Sequence, residues 1–80
     1  MPSKFIVFQT PEGEKAVIFP STDFYHDQMS SHFADYDVLS AGFVQIIESG
    51  QIHCFGRSES LGIDSRGEDD EIVISRQLVT

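Results

Sequence analysis

Few side chains in this chain could do chemistry: three histidines (His26, His32, His53), one cysteine (Cys54), five cations and thirteen carboxylates. A metal site would have to draw on the histidines and Cys54. In a helix, His26 and His32 point to different sides, and in a strand His53 and Cys54 face opposite ways. Neither pair supplies two ligands locally, so no metal and no cofactor are expected. A Cys–His nucleophile fails on the same geometry, because His53 lies across the strand from Cys54. A thiol set among Val44, Ile46 and Ile52 is a silent core group. The run Gly56-Arg57-Ser58-Glu59-Ser60 misses the G-x-S-x-G elbow, since Ser60 stands where the second Gly belongs. No phosphate-loop motif is present. The enzyme or ligand-binding reading that remains would gather His53, His32 and Arg57 in one concave pocket.

The carboxylates concentrate near the C-terminus. Ser65-Arg66-Gly67-Glu68 has the spacing of a capping box, with the Ser hydroxyl serving the backbone N–H three residues on and the Glu reaching back. Glu68, Asp69, Asp70 and Glu71 then fill a first helical turn, where negative charge suits the helix dipole. The EF-hand spacing is absent, so calcium is not implied. A second reading places Glu59, Asp64, Glu68, Asp69, Asp70 and Glu71 on one protruding acidic surface. Such an array would imitate nucleic acid and block a basic site, as a small phage-type inhibitor does.

The elements that must carry these residues follow from periodicity and punctuation. Phe5-Ile6-Val7-Phe8 and Ala16-Val17-Ile18-Phe19 flank the turn signal Thr10-Pro11-Glu12-Gly13, which predicts an antiparallel hairpin. Both faces of its strands are apolar, the pattern of strands covered on both sides. Tyr25, Met29 and Phe33 recur every four residues, predicting a helix over 23–33 capped by Ser21 or Thr22. A second hairpin joins residues 38–47 to 51–56. A three-residue loop ending in a left-handed Gly50 pairs Ile46 with Ile52 and Val44 with Cys54 on one face. The opposite face then carries Gln45 beside His53 and Phe43 beside Phe55. Ile72-Val73-Ile74 could extend a strand, but the Ser65 cap and the acidic turn predict a closing helix. The fold class is α+β: one domain over residues 1–80, a small antiparallel sheet of two hairpins in the order ββαββα, with the helices packed on one face.

Eighty residues support one thin core, with stability of about 4–6 kcal/mol. Seven Phe and two Tyr exceed what such a layer readily buries. If Phe43, Gln45, His53, Phe55 and Arg57 share an uncovered sheet face, that face is an interface for a partner protein or a second copy. The net charge of −8 argues against direct contact with nucleic acid or an anionic membrane. A single cysteine, no apolar leader and no long apolar span predict a cytoplasmic protein. The function expected is therefore a small soluble non-enzymatic interaction domain, self-associating as a homodimer, with the acidic mimic and the His53/His32/Arg57 pocket as alternatives.

Three stretches, Ser40-Ala41-Gly42-Phe43-Val44, Cys54-Phe55-Gly56-Arg57-Ser58-Glu59-Ser60-Leu61-Gly62 and Ser65-Arg66-Gly67-Glu68-Asp69, resemble a pattern in short hypothetical proteins of bacteria and their phages. The resemblance spans about the C-terminal half. It implies a bacterial or phage cytoplasmic setting and transfers no catalytic residue.

Overall fold

A computed structural model describes residues 2–79. The first hairpin forms as its composition requires: strand β1 (Ser3–Thr10) pairs antiparallel with β2 (Gly13–Phe19) around the Pro11-Glu12 turn. The Thr10 hydroxyl donates to the Gly13 carbonyl and accepts from the Glu12 N–H, locking the turn. A short helix α1 (His26–Ser30) runs into a 3₁₀ turn at Ser31–Phe33. Strand β3 (Asp37–Ile46) then pairs with β1, and β4 (Ile52–Phe55) pairs with β3, giving the order β2-β1-β3-β4. A separate two-stranded ribbon, β5 (Arg57–Ser58) with β6 (Ile63–Asp64), precedes the closing helix α2 (Glu68–Val79). Among the described residues no helix is long and apolar enough to cross a membrane.

The β3–β4 register is the one the side chains dictate: Phe43 opposite Phe55, Val44 opposite Cys54, Gln45 opposite His53 and Ile46 opposite Ile52. Ile47 donates its N–H to the Gln51 carbonyl across the Glu48-Ser49-Gly50 loop, and Gly50 has φ +86°. A left-handed residue at that position lets the loop match the twist of its strands.

The helices do not share a face, which corrects the one-sided packing expected from sequence. Phe5, Val7, Val44, Cys54 and Ile74 form one cluster, under α2. Ile6, Phe8, Phe19 and Ala41 form another, against Met29 and Phe33 of the α1 segment. Neighbours along a strand point to opposite faces, so Phe5-Ile6-Val7-Phe8 serves two cores in alternation. The sheet is a middle layer. A bulge in the β1–β3 pairing between Val7 and Phe8 leaves Leu39 as the extra residue on β3. Leu39 packs with the α2-side cluster.

Two helix starts also differ from expectation. The first helix begins at His26 rather than Asp23, because residues 21–23 form a turn in which the Asp23 N–H reaches the Pro20 carbonyl. Its opening N–H groups are met by side chains: Gln28, within the helix, reaches back to the Tyr25 N–H, and Ser60 Oγ, from outside, accepts from the Asp27 N–H. At α2 the capping box is displaced. Ser65 Oγ accepts from the Gly67 N–H, and Asp70, not Glu68, reaches back to the Arg66 N–H at 2.7 Å. The helical choice for Ile72-Val73-Ile74 holds, although only Val73 and Ile74 pack inward.

Candidate functional site

The face of the sheet opposite α2 carries a row of five rings. Phe19 meets the edge of His26 at 5.6 Å between centroids, His26 meets Phe43 at 5.9 Å, Phe43 stacks on Phe55 at 6.0 Å, and Phe55 stacks on His53 at 5.2 Å. Both geometries are favoured by the ring quadrupoles. Burial falls along the row: Phe19 and His26 are buried, Phe43 and Phe55 are half-buried, and His53 is exposed. The row thus begins in the core and ends in solvent.

Over its middle lies an open cleft of about 600 Å³, lined by Phe43, His26, Tyr25, Lys4, Arg57, Glu59 and Ser60. Lys4 enters this face because β1 pairs it with Phe43. Its ammonium donates to the Phe24 carbonyl at 2.7 Å and lies 5.1 Å from the Tyr25 ring centroid. Arg57, on the ribbon, faces Asp64 at 3.5 Å and Glu59 at 3.9 Å. Both cations keep contact with water, so the cleft pairs an apolar floor with a rim of mixed charge, in which Arg57 is matched by Glu59 and Asp64 and Lys4 has no carboxylate partner among the described residues.

His26 sits at the base. It is 4% exposed, and its Nε2 lies 2.9 Å from the Gly42 carbonyl, the geometry of a donated N–H from the neutral ring. Burial holds its pKa below the ordinary 6.5, and Lys4 acts in the same direction, against the opposing pull of the Gly42 contact and Asp27. His26 is buried, whereas His32, in the 3₁₀ turn, is exposed. What the pattern at 25, 29 and 33 hid is that His26, the first residue of a short helix, faces Phe19 and Phe43. Tyr25 instead stands 67% exposed.

Of the interface residues expected from sequence, Phe43 and Arg57 line the cleft, and Phe55 and His53 continue its aromatic row. Gln45 is exposed opposite His53. The expected grouping of His53, His32 and Arg57 does not form around this cleft, where the histidine is His26. Cys54 is buried on the other face, and its thiol is pushed up to about 12 by burial, with the Asp70 and Glu71 carboxylates adding to the effect. Among the described residues no group of three His, Cys, Asp or Glu side chains could hold a metal ion.

The acidic residues are parted by the fold. Asp70 is 0% exposed, so its place in an acidic surface is corrected. Its Oδ1 accepts from Ser40 Oγ at 2.6 Å and from Arg66 Nε at 2.9 Å, and Arg66 continues to Glu14 at 2.7 Å. Glu71 is half-buried and accepts the Cys54 N–H at 2.9 Å, lying 3.6 Å from His53 Nδ1. Glu59 and Asp64 flank Arg57, while Glu68 and Asp69 remain exposed on α2.

No match to the chain was found among protein-family models, curated proteins or solved structures.

Proposed function

We propose that the protein is an interaction domain whose recognition element is the aromatic cleft between α1 and the β5–β6 ribbon. The observation that carries this reading is the ring row running from the buried Phe19 to the exposed His53, with Lys4 and Arg57 beside its open part. A half-covered stack of rings gains by losing its remaining contact with water, and flat aromatic surfaces with a neighbouring Arg are frequent centres of binding energy. The Lys4 ammonium at the rim favours a partner segment that sets an apolar side chain beside a carboxylate. The sheet edges are less suited to the task. Glu71 occupies the Cys54 N–H on β4, and Gln77 occupies the Ala16 N–H and carbonyl on β2, so strand addition meets side chains already in place.

The test is selection from a displayed random-peptide library against the full chain. Enriched peptides are expected to share an apolar residue adjoining Asp or Glu. Phe55→Ser, which removes the ring stacked on Phe43, is expected to weaken them at least about tenfold. Arg57→Glu is expected to weaken them further in low salt. Absence of enrichment, or binding indifferent to both substitutions, would count against the cleft.

A further inference from the structure

A second surface lies on the opposite side of the molecule, on the outward face of α2. Ile72 stands there 49% exposed among the exposed polar residues Glu68, Ser75 and Arg76, and Leu78, 61% exposed, lies beyond them in the last turn. Glu68 and Arg76 lie one turn before and one turn after it, on the same stripe. Neither has an ion-pair partner among the described residues, whereas Arg57 and Arg66 are both engaged. Gln51 and Ile52 of the adjoining hairpin border the same shallow groove as Ile72, and Ile46, 54% exposed, lies opposite Ile52. The apolar area thus extends from the helix onto the sheet.

We propose that this face binds a second copy of the chain through an antiparallel α2–α2 contact centred on Ile72. The arrangement follows from the symmetry of the stripe. A two-fold axis through Ile72 brings the two isoleucines together and sets Glu68 of each copy opposite Arg76 of the other. The two charges stand about 12 Å apart along one helix at 1.5 Å per residue, equally spaced about the axis. The pairing therefore closes with two equivalent ion pairs flanking an apolar centre. A parallel arrangement would instead oppose Glu68 to Glu68 and Arg76 to Arg76. α2 is the only helix on its side of the sheet among the described residues, so its outer face is open to a partner helix.

Sedimentation equilibrium of the full chain, from micromolar to millimolar concentration, tests the contact. A monomer–dimer equilibrium is expected, and Ile72→Asp should weaken it by about thirtyfold or more, the scale of a central contact. Glu68→Arg and Arg76→Glu should each weaken it severalfold, because each sets like charges opposite one another. An equimolar mixture of those two variants should recover association, since each then presents the charges the other lacks. All three positions are solvent-facing, so circular dichroism melting at concentrations where the parent protein is monomeric should match it. A chain monomeric throughout, a dimer insensitive to Ile72→Asp, or a mixture no tighter than either variant alone would overturn the proposal.

Discussion

Asp70 decides more than any other single residue. Its carboxylate is wholly enclosed, yet it accepts from Ser40, from the Arg66 backbone and from the Arg66 guanidinium, so the buried charge is matched on both oxygens. Truncation would leave the Ser40 hydroxyl and part of the Arg66 guanidinium enclosed without their acceptor. Asp70→Ala should therefore lose about 3–5 kcal/mol, the range for breaking one partner of a buried pair. A domain with only about 4–6 kcal/mol to lose would be left only marginally folded by that change. Urea unfolding followed by far-ultraviolet circular dichroism checks this, and a midpoint close to the parent's would contradict it. Gly42 is constrained in a different way. A Cβ there would come within 2.6 Å of the Phe55 carbonyl oxygen and 3.2 Å of Ser65 Cβ, so the absence of a side chain lets the approach to α2 press against β3.

At the scale of elements, α2 does more than roof the sheet. It reaches both edge strands, Glu71 binding the backbone of β4 and Gln77 that of β2. The Gln77 amide both accepts and donates, 2.7 Å each way, and so stands in for a neighbouring strand. Gln77→Ala should cost about 1–2 kcal/mol. It should also raise the hydrogen-exchange rate of the Ala16 amide selectively, as read by NMR. Unchanged protection at Ala16 would mean that the helix does not seal that edge. Much of this architecture was legible in the residues. The three-residue loop and its register followed from separating Ile46 and Val44 from Gln45 and Phe43 across the pleat, a local rule that tertiary packing had no reason to override. The two-faced apolar run Phe5-Ile6-Val7-Phe8 argued for cover on both sides, and the helices obey that run rather than the one-sided packing expected of them. The helix over 23–33 was misjudged because Phe24 and Tyr25 interact through Lys4 rather than through helical neighbours. The aromatic cleft was half legible: Phe43, Phe55 and Arg57 followed from register, but Lys4 and His26 enter from distant segments that no local spacing connects.

For the molecule as a whole, stability should depend on pH through His26. Its pKa is lower folded than unfolded, so as pH falls below about 6.5 the unfolded chain takes up the proton more readily. This contribution to stability is complete above 6.5 and is lost progressively as pH descends toward the folded-state value. The urea midpoint should fall between pH 7.5 and pH 5.5, and His26→Gln, which retains a donor for Gly42, should lose less over that interval. An equal loss in both proteins would remove His26 as the cause. The charges facing this ring are Lys4 from β1, Asp27 from α1, and Arg57 and Glu59 from the ribbon, so acidification acts on the same region as the cleft.

Strand β1 is a party wall. Its even-numbered side chains at 6 and 8 furnish one room and its odd-numbered ones at 5 and 7 the other, with only the peptide plane held in common. Loosening the α1 room would leave the lining of the α2 room intact, so the molecule can open on the side of its aromatic cleft while the α2 half stays shut.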